Sequence, residues 1–318
     1  MTSAAIIDFE SRSALSLRAH GAWRYSCDPT TEVLCLGFRL PMWSQGRTAL
    51  WHPNGGWDDL EELLLWIREG NLLEAHGVWF ELCLWQNLMV PRYEWPPIHV
   101  EQWRCSMAKA SAHALPRGLE AAGAALELEM VKDATARPLL LKMVKPRKPL
   151  KKELVTWEGA GKPLLWQEQP EQLERLFAYC RQDVLAEQAL SEALPDLSPA
   201  EQRVFTMDLR INLRGFQLDD AAVQAACTRL ENGAATFNAE IARLTEGHVT
   251  AASQRAQLLS WLNGQGVDIA DTQAETISKT LEQPQALSPD QHRVLRILQE
   301  LGRSSTAKYR AMQDWEDP

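Results

Sequence analysis

The chain has 318 residues, of which 45% are hydrophobic and 24% charged, and it carries a formal net charge of −9. This length accommodates one large or two ordinary domains with a packed core, and thirteen tryptophans indicate an ordered interior. The acidic balance argues against broad electrostatic capture of nucleic acid, so we expect any such binding to be local and assisted by metal ions.

The cysteines and histidines give no sign of a disulfide framework or a zinc site. The sequence contains no C-x-x-C pair and no histidine pair at metal-binding spacing, which is typical of a cytosolic protein with reduced thiols. The N-terminus carries no basic segment before its short apolar run, and no run approaches the roughly eighteen apolar residues of a membrane span. We therefore expect a cytoplasmic protein without a signal peptide.

Strands and helices alternate in the first 90 residues. The helix predicted at 57–70 has apolar residues at helical spacing and ends at Gly70, and a second helix at 78–90 is expected to end before Pro91. Four short apolar segments bounded by turn residues are predicted strands: the segment from Ile6, 31–40, 48–53 and 71–76. This order predicts an α/β domain with a mixed sheet, whose active residues lie at strand ends and on adjacent helices.

The last part of the chain is predicted to be helical. The segments 198–201 (SPAE) and 288–291 (SPDQ) each place Ser at a helix N-cap, Pro at the first helical position and Glu or Gln three residues after the cap. Between them, 253–266 is an amphipathic helix with a glycine stop. We therefore predict an α/β domain at 1–197 and a smaller all-α segment at 198–318.

Two carboxylates, Asp8 and Glu10, follow the apolar start of the first predicted strand. Side chains alternate along a strand, so residues two apart point to the same face. Two like charges this close repel each other, and in a dry setting one of them would take up a proton. The pair therefore requires a source of positive charge.

Two predicted helices supply further candidates. Glu81 lies on the first turns of the helix at 78–90, and Tyr179 and Asp183 are four residues apart on one face of a long helix at 169–190. Hard divalent cations such as Mg²⁺ and Mn²⁺ take oxygen ligands. Two such ions about 3.5–4 Å apart clamp the attacking and leaving oxygens of a phosphoryl displacement. The carboxylates thus predict a site for two Mg²⁺ or Mn²⁺ ions.

In this order, the motifs D-x-E, A-H-x-x-x-F-[DE] and Y-x-x-x-D resemble those of the DEDD 3′–5′ exonucleases of the tyrosine subclass, which are ribonuclease-H-like domains used for proofreading. The segments 207–219, 257–269 and 294–312 resemble the region that follows the exonuclease in family A DNA polymerases of the bacteriophage and prophage type. The resemblance covers nearly the whole chain. Its specificity comes from the order and spacing of the motifs together with the segments that follow.

The resemblance implies a role for each candidate residue. Asp8 would bridge two metal ions, Glu10 and Asp183 would complete the first metal site, and Glu81 would support the second through water. Tyr179 would orient the attacking water. The implied reaction is hydrolytic release of nucleoside monophosphates from the 3′ ends of single-stranded or frayed DNA.

Two residues depart from the usual pattern of this family. Gly77 stands where Asn is common, and Glu81 stands where Asp is common, so we expect an effect on efficiency more than on the type of reaction. The resemblance also implies that the chain ends before the polymerase palm and fingers, and polymerase activity is not expected from it alone. Its implied partners are a separate polymerase half or replication proteins, and its implied location is the cytoplasm of a bacterial host.

Alternatives remain open from the sequence. The site does not report the sugar, so an RNA-trimming exonuclease of the same fold is one alternative, and a non-catalytic nucleic-acid-binding remnant is another. The basic stretch 142–152 would either contact phosphates of a single strand or form a solvated loop. His76 is expected to be packed in the interior, and Trp79 or Trp85 is a candidate for stacking on a base.

Overall fold

A five-stranded mixed sheet lies at the centre of the N-terminal part of the chain, with the strand order β3-β2-β1-β4-β5. The computed structural model describes residues 4–57, 59–128, 141–150, 153, 163–283, 286–302 and 307–313. The strands are β1 (Ala4–Arg12), β2 (Glu32–Arg39), β3 (Ala49–Trp51), β4 (Leu72–Ala75) and β5 (Trp103–Cys105). The predicted fold class is confirmed, because a mixed sheet with flanking helices is compatible with a ribonuclease-H-like fold and is followed by a helical part.

The sheet is organised around β1. This strand pairs antiparallel with β2, where Asp8 lies opposite Gly37, and parallel with β4. A register shift between Glu10 and Ser11 marks a β-bulge. Only residues 4–6 pair with β4, so the stretch that carries the two carboxylates extends beyond the end of that strand. The carboxylates therefore stand at the edge where the parallel strands end.

Helices flank the sheet, and the main core contains Phe38, Trp51, Trp85 and Trp103, which are almost fully buried. The helices of this part of the chain, within the described residues, are α1 (Leu17–Cys27), α2 (Leu60–Arg68), α3 (Trp79–Leu84), α4 (Val90–Tyr93), α5 (Ser106–Ala112), α6 (Leu119–Ala125), α7 (Pro170–Ala193) and α8 (Pro199–Arg214). Ile7 and Phe9 of β1 point into this core. Because side chains alternate along the strand, Asp8 and Glu10 face the other side of the sheet.

The helix α7 packs on the face of the sheet to which the two carboxylates point. Its residues Phe177 and Cys180 are buried against Cys35 of β2. A Cβ atom on Gly37 would lie 2.8 Å from Cys180 Sγ and 3.2 Å from the Cys180 carbonyl oxygen, which is closer than packed atoms allow. The glycine therefore permits the close approach of α7 to β1 and β2.

The expectation that Pro91 ends the second helix is wrong. The helical segment α3 continues through a π-helical turn at Trp85–Met89 into α4, and Pro91 lies in the first turn of α4. The helical segment ends at Glu94, which has a φ of 56°. A proline is tolerated in a first turn, because the N–H that it lacks would have no partner there, and the π turn starts a new first turn at Val90.

The C-terminal part of the chain is helical in the residues that the structure describes, as predicted. Its elements are α9 (Asp220–Leu244), α10 (Arg255–Gly264), α11 (Ala274–Leu281), α12 (Pro289–Leu301) and α13 (Ala307–Gln313). They enclose a separate core that includes Ile241, Leu258, Leu262 and Val294. The predicted capping boxes form at Ser198, which precedes α8, and at Ser288, which precedes α12.

The chain divides into two compact units, with the boundary after Gly215. Helix α8 belongs to the first unit, because Leu209 lies in the main core and Gln202 Nε2 donates a hydrogen bond of 3.2 Å to the carbonyl oxygen of Trp103. The predicted domain boundary after residue 197 comes before this helix. The assignment of 1–197 and 198–318 as domains of different function stays a prediction.

Candidate metal centre

Three of the predicted ligands come together between β1 and α7. Carboxylate oxygens of Asp8, Glu10 and Asp183 all lie within 4.8 Å of one another, and each of the three residues is half-buried. The strand alternation brings the first two to one face, and the close packing of α7 brings the third to the same place. The three residues could bind a metal ion.

Glu81 lies on the first turn of α3 and is 4% exposed. It is not a member of the tight group of three within the described residues, yet it acts electrostatically on that group: burial raises the pKa of Glu81 well above its ordinary value, and the charge of Asp8 raises it further. Within the part of the chain that the structure describes, Glu81 Oε2 is buried and has no hydrogen-bond partner. Buried polar atoms normally have a partner, so a buried carboxylate oxygen without a hydrogen bond is a candidate for contact with a bound cation.

The electrostatics of the group give the same indication. Burial raises the pKa of Glu10 well above 4.5, and the charges of Asp8, Asp183 and Glu81 raise it further. A set made of carboxylate oxygens, with an excess of negative charge, fits the hard cations Mg²⁺ and Mn²⁺ better than softer metals. Binding of a cation would offset the repulsion that the sequence predicts for this pair of strand residues.

Tyr179 lies one turn before Asp183 on α7 and is half-buried. Its hydroxyl is hydrogen-bonded to Asp183, and its pKa is raised, first by burial and then by the charge of Asp183. The phenol therefore keeps its proton at neutral pH. A protonated hydroxyl at this position can both donate and accept a hydrogen bond beside the carboxylates.

Two further residues of α7 face the centre and were not singled out from the sequence. Cys180 Sγ lies 3.4 Å from the carbonyl oxygen of Asp8 and 3.6 Å from its Oδ2. Glu187 is 1% exposed and interacts electrostatically with Asp8 and Glu81. The spacing of four residues from Tyr179 to Asp183 continues to Glu187, so helical periodicity could have identified this second carboxylate of the helix face.

The glycine that departs from the family pattern has a conformational role. Gly77 has a φ of 101°, which residues with a side chain rarely adopt. It is the second residue after β4 and lies two residues before the start of α3, so it helps to set the turn that carries Glu81. The departure from Asn at this position is therefore linked to the backbone of the turn.

The remaining sequence expectations have mixed outcomes. Trp85 is buried and donates through Nε1 to the carbonyl oxygen of Pro96, which leaves no face for a base, while Trp79 is half-buried and stacks on Trp23. His76 is half-buried and hydrogen-bonded. The basic stretch 142–152 lies partly outside the described residues.

The cysteines form no disulfide bonds, as their scatter along the sequence predicts. All of the cysteines are free: Cys27, Cys35, Cys83, Cys105, Cys180 and Cys227. Of the helices within the described residues, none combines the length and the apolar character that crossing a membrane requires.

The sequence of this chain is similar to that of a known phage protein. The chain is 28% identical over 320 aligned residues to a DNA polymerase of Bacillus phage SP02. The aligned region covers 96% of this chain and 45% of that polymerase, so the chain spans less than half the length of this relative. No family model matches the chain.

Proposed function

We propose that the chain contains a metal-dependent 3′–5′ exonuclease of the DEDD tyrosine subclass, which serves as the proofreading part of a phage-type family A DNA polymerase. The observation that carries this proposal is the meeting of Asp8, Glu10 and Asp183 from a strand and a helix far apart in sequence. The similarity to a phage DNA polymerase over almost the whole chain supports a function associated with DNA replication.

The chemistry can be divided among the residues. Asp8, Glu10 and Asp183 would hold Mg²⁺ or Mn²⁺, and Glu81 would support a second ion. When bound, such ions supply positive charge that stabilises the negative charge developing on the phosphodiester and lower the pKa of water. Tyr179 would orient the attacking water through its hydroxyl oxygen, which can accept a hydrogen bond from that water while the hydroxyl proton is donated to Asp183. The half-buried setting strengthens these interactions, because fewer water molecules screen them.

The proposed substrate is the 3′ end of single-stranded or frayed DNA, with nucleoside monophosphates as products. The polymerase relative favours DNA over RNA. With a net charge of −9, the chain would attract a phosphate backbone through the metal ions and local contacts rather than through its overall field. The proposed partners are a polymerase half and replication proteins in the cytoplasm of a bacterial host.

The test is digestion of single-stranded DNA labelled at the 3′ or the 5′ end, with Mg²⁺, Mn²⁺ or chelator. We expect the 3′ label to leave first as a mononucleotide, the 5′-labelled strand to shorten stepwise, and chelator to stop both. The matched control is Asp183→Asn, which keeps the shape of the side chain but lowers the rate by several orders of magnitude through loss of a ligand. Digestion in chelator, or from the 5′ end, contradicts the proposal.

Two further arms address the alternatives. A matched RNA strand that is trimmed faster than DNA would indicate an RNA-trimming exonuclease of the same fold. Binding of single-stranded DNA without hydrolysis in either metal would indicate the non-catalytic binding remnant.

A further inference from the structure

A buried ion pair lies in the same compact unit as the candidate centre and takes no part in the chemistry proposed above. Lys109 of α5 and Glu74 of β4 are 2% and 0% exposed. Nζ of Lys109 lies 3.1 Å from each carboxylate oxygen of Glu74 and donates a hydrogen bond to Oε2. Lysine and glutamate are almost never buried so completely unless they are paired, and such a pair is often no more stabilising than apolar residues of similar volume. Stability is therefore a weak explanation for this pair.

The ammonium group of Lys109 also contacts α7 and the segment that follows it. Its Nζ donates to Ser191 Oγ at 2.9 Å and forms an ion pair with Asp196 Oδ1 at 2.6 Å. The hydroxyl of Ser191 donates in turn to Glu74 Oε2, at 2.8 Å. An ammonium group has three N–H donors, and Glu74, Ser191 and Asp196 provide one partner for each. Lys109 thus connects β4, α5 and the C-terminal part of α7.

The helix held by this network carries two residues of the candidate centre. Asp183 of α7 lies beside the carboxylates of β1, whereas Ser191 of the same helix is bonded to Glu74 of β4. The eight residues from Asp183 to Ser191 correspond to a rise of about 12 Å along the helix. A regular helix of two turns moves as a rigid element, so a shift of Ser191 along the axis shifts Asp183 with it.

We propose that Lys109 is a positioning residue, which fixes the height of α7 against β4 and α5 and so places Asp183 at the metal centre. Apolar packing holds a helix against a sheet but is not directional, so it resists small displacements along the helix axis only weakly. Hydrogen bonds and ion pairs have narrow ranges of distance and angle, so such a displacement would break the contacts of Lys109. The effect on hydrolysis rests on the proposed exonuclease function.

The first test separates position from stability with a single and a double variant. In Lys109→Met, Glu74 becomes a buried carboxylate without its cation, and we expect the melting temperature to fall by roughly 10 °C. The double variant Lys109→Met with Glu74→Met replaces both charges by apolar side chains, and we expect it to recover most of that loss. Mn²⁺ titration of the double variant then reports on position. We expect its affinity to fall by roughly tenfold, as when a group that orients a metal ligand is removed.

A third variant, Ser191→Ala, keeps the ion pair and removes only the hydroxyl that connects it to α7. We expect a nearly unchanged melting temperature and a loss of Mn²⁺ affinity smaller than that of the double variant. The matched control is Lys279→Met, which removes a lysine that is 71% exposed and paired with Glu275. An exposed pair contributes little, so we expect the control to bind Mn²⁺ and to melt like the original protein.

Two results would overturn the positioning role. One is a double variant that recovers its melting temperature and binds Mn²⁺ as tightly as the original protein, because Lys109 would then serve stability only. The other is an unchanged Mn²⁺ affinity in Ser191→Ala, which decides the question even where the double variant does not fold.

A hydrolysis assay with the same variants distinguishes this proposal from the exonuclease function. Misplacement of Asp183 is expected to lower kcat of the double variant by about ten- to a hundredfold, with little change in KM. A full kcat in the double variant contradicts the positioning role. If the original protein binds Mn²⁺ but hydrolyses no nucleic acid, the exonuclease function fails and the Mn²⁺ affinities still decide the role of Lys109. If it binds no Mn²⁺, both proposals fail.

Discussion

The side chains of the candidate centre differ in what holds them in place. Asp8 and Glu10 are set by strand pairing and by the bulge that follows them. Asp183 and Tyr179 share a helix face and a hydrogen bond, and Glu81 is fixed by burial on the first turn of α3. Because these side chains are held by strand pairing, by a shared helix face or by burial, different substitutions test their roles.

Tyr179→Phe separates the hydroxyl of this residue from its ring. The ring stays packed, so we expect a nearly unchanged melting temperature. If the hydroxyl orients the attacking water, its loss slows the chemical step by roughly ten- to a thousandfold, as for other positioned donors. Single-turnover rates measure the effect, with Tyr179→Ala as the variant that also loses packing. A full rate in Tyr179→Phe would remove this residue from the mechanism and leave the carboxylates in place.

The carboxylates also predict how stability changes with pH in the absence of metal. Burial and mutual repulsion raise the pKa values of Glu10 and Glu81 above 4.5 in the folded state. A raised pKa means that the folded state binds more protons than the unfolded state, so the stabilising contribution is complete below about pH 4.5 and is lost as the pH rises. We expect a lower melting temperature in chelator at pH 8 than at pH 5. Asp183→Asn, with one charge fewer near Glu10, should reduce this difference.

Among the elements, α7 contributes Asp183 and Tyr179 to the centre. Its close packing on β1 and β2 depends on Gly37, which has no side chain. Gly37→Ser would place a Cβ against the Cys180 side chain and carbonyl oxygen. We expect the variant to be less stable by about 1–3 kcal/mol, the usual effect of overpacking, and to bind Mn²⁺ more weakly. The control is Gly118→Ser at the N-cap of α6, where a Cβ meets no atom within 4 Å and serine is a favoured residue. Equal melting temperatures would show that α7 adjusts freely.

The elements that the sequence predicts are those with strong local signals. The capping boxes before α8 and α12 each depend on a motif of four consecutive residues, and both capping boxes form. Helix α1 is not among the predicted elements, and Gly21 interrupts its helical geometry with a φ of 79°. The passage of a helix through Pro91 depends on a π turn, for which the sequence carries no local mark. Local chemistry thus predicts helix starts well, and a shift of helical register poorly.

For the candidate centre too, the sequence predicts which residues share a face of one element, but not which elements pack together. The pairing of Asp8 with Glu10, and of Tyr179 with Asp183, follows from strand and helix periods. Their meeting follows from the resemblance to a family, since nothing local states which helix packs over which strand. The hydrogen bonds of Ser106 with His76 and Glu187 could not be predicted, because they join three elements whose neighbours are set only by the fold.

Across the whole molecule, the three clustered carboxylates, Asp8, Glu10 and Asp183, belong to one compact unit, the one that ends at Gly215. A ligand that binds only the folded state stabilises it, by about 2.7 kcal/mol at a hundred times its dissociation constant. We therefore expect Mg²⁺ or Mn²⁺ to raise the melting temperature of the first unit and to leave that of the second unchanged. Calorimetry with and without chelator measures this difference. An equal shift in Asp183→Asn would indicate that the ions bind elsewhere.

One consequence of α7 concerns how the chain can vary over time. Tyr179, Asp183 and Glu187 share a face because they are four residues apart. An exchange of side chain alters one contact, but a single inserted residue after Tyr179 turns everything beyond it by about 100°. Such an insertion would withdraw Asp183 and Glu187 from the candidate centre together. We expect descendants of this gene to change residues in the stretch and to keep its length.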